Sequence, residues 1–140
     1  MFAYCIMTNH IHLIVNCNEP YKLSDTIRDF KRHVAKQILF QIRNEPESRR
    51  EWMIKLFAEK GEQYKSNEKI KFWKTGNHAI ELFTEKFVWD KINYIHENPV
   101  KEEFVAKPED WKFSSASNYY NEKGILNEVI CLTPILRTYD

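Results

Sequence analysis

The chain has 140 residues, a formal net charge of +1 and a hydrophobic fraction of 43%. This length suits a single domain over residues 1–140, long enough to bury one core but not two independent ones. No uninterrupted apolar run reaches membrane-spanning length and no basic-then-apolar leader opens the chain, so we expect a cytoplasmic protein with no membrane partner. The near-neutral charge does not by itself indicate a nucleic-acid partner, because the distribution of the charges matters more than their sum.

The N-terminal stretch predicts a β-hairpin. Residues 2–7 and 11–15 are β-formers, and Thr8-Asn9 between them suits a tight turn because Asn tolerates left-handed geometry. Side-chain alternation places His10 and His12 on one face, about 7 Å apart at a rise of roughly 3.3 Å per residue. That spacing suits two ligands of one metal ion. The alternative is a half-buried strand whose solvated face carries two histidines and no metal.

Two helices are predicted next. Apolar residues at helical spacing indicate a helix from Ser24 to Ile42 with Ser24 as its cap, and a second helix runs from Ser48 to Lys60 and ends at Gly61. The polar faces of the first helix carry a local excess of cations. They form either a solvated helix face or a surface for DNA phosphates. The candidate DNA-binding residues on it are Arg28, Lys31, Arg32 and Lys36.

The residue pattern in the second half of the chain predicts one more strand and two more helices. After a polar loop over residues 61–69, residues 70–74 alternate weakly and predict a short strand. Thr84 is the expected cap of a helix through Asn98, which Pro99 should end. Ser114 should cap a short helix that ends at Gly124, and residues 129–132 have β-forming character.

One face of the helix from Thr84 to Asn98 carries the next candidates. Tyr94 and Asn98 are four residues apart, hence on one face and within about 6 Å of each other. Lys91 lies three residues before Tyr94 and can share that face, which makes it a further candidate for DNA binding.

Four segments resemble the single-tyrosine transposases of the HUH nuclease superfamily, in particular the REP-associated tyrosine transposases. Met7-Thr-Asn-His-Ile-His-Leu-Ile-Val15 resembles their His-hydrophobic-His segment. Phe72-Trp-Lys-Thr-Gly-Asn-His-Ala-Ile-Glu-Leu82, Tyr94-Ile-His-Glu-Asn-Pro-Val100 and Lys107-Pro-Glu-Asp-Trp-Lys-Phe-Ser-Ser115 resemble the region around their nucleophile helix. The matching segments together cover about residues 2 to 17 and 70 to 120.

The resemblance implies both a fold and a chemistry. The fold is α+β, a ferredoxin-like or RRM-like antiparallel sheet with helices packed on it, here without the strand and helix that usually precede the histidine strand. Tyr94 stands where the family has its nucleophile, and His10, His12 and Asn98 stand where it has the ligands of Mg²⁺ or Mn²⁺. The implied partner is single-stranded or hairpin DNA, cut through a 5′-phosphotyrosine. A monomer and a homodimer are both compatible with the sequence.

Three functional hypotheses remain at this point. The favoured one is a metal-dependent transposase or endonuclease of single-stranded DNA. The second is a catalytically inactive transposase remnant that binds hairpin DNA, and the third is an unrelated metal-dependent hydrolase that does not need Tyr94. Tyr119 and Tyr120 form a rival nucleophile pair, for which packing or DNA stacking is the favoured role.

Overall fold

The computed structural model describes residues 1–63, 70–120 and 123–133. The chain divides into two compact units. Unit 1 comprises Met1–Asn16 and Ile80–Asp140, and unit 2 comprises Cys17–Ala79. The described residues contain a two-stranded antiparallel sheet and four α-helices, which confirms the predicted α+β class. That residues 1–140 form a single domain stays a prediction.

The predicted β-hairpin is confirmed in unit 1. Strand β1 (Ala3–Ile6) pairs with β2 (Ile11–Ile14), and the turn closes where the Met7 N–H donates to the His10 carbonyl over 2.9 Å. Residues 113–115 run along the other edge of β1. The Ile6 N–H donates to the Phe113 carbonyl over 2.8 Å at this edge. Both edges of β1 are therefore hydrogen-bonded, which is how a short strand avoids exposing unpaired backbone groups.

Helix α3 (Glu85–Lys101) packs on β1 and forms the core of unit 1 with it. Its predicted cap is confirmed, because the Thr84 hydroxyl accepts from the Phe87 N–H over 3.2 Å. The predicted end at Asn98 is wrong, since the helix continues through Pro99 to Lys101. Pro99 has no N–H to donate, but the Glu102 N–H still donates to the Asn98 carbonyl over 3.0 Å and completes another turn.

A buried polar cluster fastens α3 to the sheet. The Ser115 hydroxyl accepts from the Tyr4 N–H over 2.9 Å and lies 3.1 Å from the Tyr4 carbonyl, to which it donates. His96 Nε2 lies 2.8 Å from the same hydroxyl. His96 is only 2% exposed, and burial lowers its pKa from 6.5 to about 4, so the imidazole is neutral at pH 7. His96 is thus a structural histidine on the core side of α3.

Unit 2 contains helices α1 (Leu23–Asn44) and α2 (Arg50–Gln63). The prediction that Ser24 caps α1 is wrong. The Lys22 carbonyl already accepts from the N–H groups of Asp25 and Thr26, so Ser24 lies inside the first turn. The prediction that Gly61 ends α2 is also wrong, because Gly61 is a buried residue within the helix.

The strand predicted over residues 70–74 is absent from unit 2. These residues lie against helices and not beside another strand: the Lys71 N–H donates to the Phe57 carbonyl over 2.9 Å, and Trp73 Nε1–H donates to the Lys31 carbonyl over 2.8 Å. The aromatic side chain of Phe72 contacts the rings of Phe57 and Trp73. The alternating apolar side chains of this segment pack on helices, and its backbone does not pair with a strand. The predicted loop over residues 61–69 lies outside the described residues from 64 onward.

The C-terminal part of unit 1 adds a 3₁₀ turn (Pro108–Asp110) and α4 (Ala116–Tyr120). Ser114 caps α4 as predicted, with its hydroxyl accepting from the Ala116 N–H over 2.9 Å. Helix α4 is described as far as Tyr120, and its predicted end at Gly124 stays a prediction because residues 121–122 lie outside the described residues. Residues 129–132 form no strand, although the Ile130 N–H donates to the Met1 carbonyl over 3.0 Å. Across the described ranges, no helix is both long and apolar enough to cross a membrane.

Candidate active site

The two histidines lie at the tip of the β-hairpin, on the face of the sheet that α3 covers. His12 is paired with the buried Cys5, and Ala3 is paired with the buried Ile14 on the same face. His10 is two residues nearer the turn and therefore lies on the same face. Because side chains alternate along β2, the two imidazoles lie on the same face as the core residues, at the edge of the core.

The imidazoles of His10 and His12 converge on one point. Their Nε2 atoms are 3.0 Å apart, and their ring planes are inclined at 88°. Two nitrogen ligands at about 2.1 Å from one cation and about 90° apart are separated by about 3.0 Å. The observed spacing of the two nitrogens therefore fits a shared divalent ion.

The protonation of the pair also fits a metal site. His10 Nδ1 lies 2.5 Å from Asn9 Oδ1, an acceptor, and this contact favours the tautomer in which Nδ1 carries the proton and Nε2 keeps its lone pair. Burial, and secondarily the neighbouring His10, lower the pKa of His12 below its ordinary value of 6.5. Metal ligation requires neutral imidazoles, which these two effects favour.

Tyr94 on α3 faces His12 within unit 1. Their ring centroids are 5.9 Å apart and their planes are inclined at 82°. Tyr94 is 46% exposed, so solvent and a substrate can reach it. The ammonium groups of Lys91 and Lys101 lie 5.4 and 5.0 Å from the centre of the Tyr94 ring. The structure therefore brings together His10, His12, Tyr94 and two cations.

Asn98 lies one helical turn after Tyr94 on α3. Its Nδ2 atom is buried and has no hydrogen-bond partner among the described residues. Because the two terminal atoms of an amide are assigned from their partners, Oδ1 can occupy the same position and offer a lone pair. Where the chain is described, no cluster of three or more His, Cys, Asp or Glu residues could hold a metal. An amide oxygen is a hard ligand of the kind that Mg²⁺ and Mn²⁺ accept, so the chemistry of Asn98 is compatible with such an ion.

The other predicted DNA-binding residues lie on α1 of unit 2, namely Arg28, Lys31, Arg32 and Lys36. Arg28 forms exposed ion pairs with Asp25 at 2.7 Å and Asp29 at 2.9 Å. The Lys31 ammonium donates to Asn77 Oδ1 over 3.0 Å. Exposed pairs of this kind are weak, so these cations can exchange their partners for phosphates.

Sequence reasoning missed Asn9 and Lys101. Asn9 adjoins His10 in the chain, and an acceptor beside a candidate ligand was the available signal. Lys101 lies seven residues after Tyr94, two helical turns along the same face, which shows only when α3 is continued past Pro99.

The rival tyrosine, Tyr119, has a structural contact. Its hydroxyl donates to the Phe2 carbonyl over 2.9 Å, and its ring packs edge-on against His96 and Trp89. Tyr119 therefore joins the core of unit 1, as the favoured packing interpretation expects.

Fold and site together define an α+β protein with a His-x-His pair opposite a helical tyrosine. Residues 1–71 match the family described as transposase IS200-like, slightly more than half of the chain. The chain belongs to this transposase family, whose activity is DNA transposition. No curated protein and no solved structure matches the chain. The matched segment includes His10 and His12 and ends before α3.

Proposed function

We propose that the protein is a metal-dependent transposase that cleaves and rejoins single-stranded DNA through a 5′-phosphotyrosine at Tyr94. The observation that carries this proposal is the approach of the Tyr94 ring to within 5.9 Å of the His12 ring, while the His10 and His12 nitrogens converge beside it. Membership of a transposase family supports DNA as the substrate.

His10, His12 and Asn98 would hold the divalent cation, with Mg²⁺ or Mn²⁺ as the expected ion. When bound, the cation acts as a Lewis acid that stabilises negative charge on the scissile phosphate. The residues themselves provide neutral ligands, so they leave the positive charge of the ion uncancelled. Asn9 orients the imidazole of His10 and fixes its tautomer.

Tyr94 supplies the nucleophile in this scheme. Its phenolic oxygen attacks phosphorus, and its proton passes to solvent. A bond forms between the Tyr94 oxygen and phosphorus while the bond from phosphorus to O3′ breaks, and the electron pair stays on O3′, which takes up a proton. The products are a 5′-phosphotyrosine and a free 3′-hydroxyl. Attack by a 3′-hydroxyl reverses the step and rejoins DNA without ATP, because one phosphate ester is exchanged for another.

Two groups of cations would hold the DNA. Lys91 and Lys101 place positive charge beside Tyr94, where it can attract the phosphate and stabilise charge that develops on its oxygens. On α1, the four cations from Arg28 to Lys36 would contact phosphates of a hairpin or single strand. Such contacts position the nucleic acid but do not read its sequence.

The proposal is tested by a covalent-adduct assay. The full chain is incubated with fluorescein-labelled single-stranded hairpin DNA from beside its own gene, with Mn²⁺ or Mg²⁺, and separated on a denaturing gel. We expect a protein-linked fluorescent band that disappears with a chelator, with His10→Ala and with Tyr94→Phe. Tyr120→Phe is the matched control, because Tyr120 is an exposed tyrosine on α4, and it should retain the band.

Two other outcomes would contradict the proposed chemistry. A band that persists in Tyr94→Phe would assign the nucleophile to another residue. Hairpin binding without any adduct would support the inactive hairpin-binding remnant instead.

A further inference from the structure

Three aromatic side chains of unit 1 form a cluster, here called the aromatic stack: Phe104 and Phe113, which are exposed, and Trp111, which is partly buried against the core. The rings of Phe104 and Trp111 are stacked, with centroids 5.4 Å apart and planes inclined at 20°. Phe113 meets Trp111 edge-on at 5.9 Å. Phe104 is 45% exposed and Phe113 is 50% exposed. Exposed apolar groups gathered in this way typically mark a binding surface.

The aromatic stack is anchored to the elements that build the candidate active site. Trp111 Nε1–H donates to the Ile6 carbonyl over 3.0 Å, at the end of β1. The Phe104 N–H donates to the Pro99 carbonyl over 2.9 Å, in the last turn of α3. These bonds hold the backbone of Phe104 and the ring of Trp111 in place before a ligand arrives, which lowers the entropy cost of binding.

Phe104 also lines a pocket that it shares with a candidate metal ligand. The pocket has a volume of about 140 Å³ and is lined by Met7, Thr8, Asn9, His10, Glu102 and Phe104. The lining combines an aromatic wall with a hydroxyl, an amide and a carboxylate, which can hydrogen-bond to the edge of a base. The carboxylate of Glu102 disfavours a phosphate in the same place.

We propose that this pocket binds one unpaired nucleobase of single-stranded DNA, stacked on Phe104. Every base presents a flat π-face, so an aromatic side chain holds single strands with little dependence on sequence. A base in the pocket lies beside His10 and would set the register of the neighbouring phosphate. The identity of the ligand as single-stranded DNA rests on the proposed function.

The test separates base stacking from phosphate attraction. Fluorescence anisotropy measures binding of the full chain to fluorescein-labelled dT15 and to a labelled strand of fifteen abasic residues with the same backbone. We expect dT15 to bind more tightly than the abasic strand. Phe104→Ala should weaken dT15 binding by at least about 5-fold, in line with the contribution of one stacked base, and leave the abasic strand unaffected.

Three further variants complete the design. Phe104→Leu keeps an apolar side chain against Trp111 but removes the ring, so it should weaken dT15 binding even if Phe104→Ala lowers the melting temperature. Phe104→Tyr keeps the ring and should bind as the wild type does. Phe83→Ala removes an equally large ring of the same unit that is 78% exposed, and should bind both strands normally.

The outcomes distinguish this inference from the proposed function. Equal binding of dT15 and the abasic strand by the wild type, no binding of dT15, or normal dT15 binding by Phe104→Ala and Phe104→Leu would each overturn the stacking site. If dT15 binding depends on Phe104 while no Tyr94 adduct forms, the proposed nucleobase pocket (the base site) stands and the proposed transposase chemistry fails. If the adduct forms and dT15 binding does not depend on Phe104, only the base site fails.

Discussion

Substituting Asn9 by alanine should weaken metal binding without touching a metal ligand. Asn9 Oδ1 lies 2.5 Å from His10 Nδ1, and this contact selects the tautomer whose Nε2 lone pair points towards His12. Loss of such an outer partner typically costs 10- to 100-fold in metal affinity, or about 1.4 to 2.8 kcal/mol. Asn9 and His10 are both exposed, so water can partly replace the amide. We therefore expect the lower end, about a tenfold increase in Kd.

Isothermal titration with Mn²⁺ measures this effect. Asn9→Asp retains an acceptor for His10 Nδ1–H and should bind Mn²⁺ at least as tightly as the wild type. Thr8→Ala alters the other residue of the same turn and is the matched control, with unchanged affinity expected. An Asn9→Ala protein that binds Mn²⁺ within about twofold of the wild type would refute the orienting role of Asn9, since a tenfold loss is expected. An equal loss in Thr8→Ala would attribute the effect to deformation of the turn.

Two further predictions concern stability and charge around α3. Burial lowers the pKa of His96 from 6.5 to about 4, so between these values the unfolded chain binds a proton that the folded chain does not. Stability should be complete above pH 6.5 and fall as the pH approaches 4, by up to about 3 kcal/mol. Urea unfolding across this range should show a shallower pH dependence for His96→Gln, and parallel curves would contradict the prediction. Lys101→Ala removes one of the cations beside Tyr94 and should slow single-turnover adduct formation by about tenfold, a small effect for a solvent-exposed charge. Lys86→Ala, at an exposed lysine near the start of α3, should react at the wild-type rate, and an unchanged rate in Lys101→Ala would exclude that lysine from the reaction.

Local patterns predicted the elements that carry the candidate site residues. Alternation in residues 2–15 indicated the β-hairpin, and the cap at Thr84 together with helical spacing indicated α3. Both signals depend only on neighbouring residues. The strand predicted at residues 70–74 failed because weak alternation does not distinguish a strand from a segment whose rings pack on helices, as Phe72 and Trp73 do.

The parts of the site that sequence did not reveal depend on tertiary context. Pro99 was expected to end α3, so Lys101 fell outside the helix and its position near Tyr94 could not be inferred. The stacking of Phe104 on Trp111 joins residues from two irregular segments, and no periodic pattern indicates such a contact. The burial of His96 against Ser115 joins residues that are far apart in the chain, so it too required the structure.

The divided chain of unit 1 has a consequence for how the site forms. The histidine hairpin lies in Met1–Asn16 and the tyrosine helix lies after Ile80, so the whole of unit 2 separates them in the chain. The closure entropy of a flexible segment grows only with the logarithm of its length, so a few flexible residues added to this insert should change the stability of unit 1 little. Contacts between residues so far apart in the chain nevertheless form slowly. A nascent chain therefore holds its histidine pair without Tyr94 opposite it until α3 has been synthesised and has docked on β1.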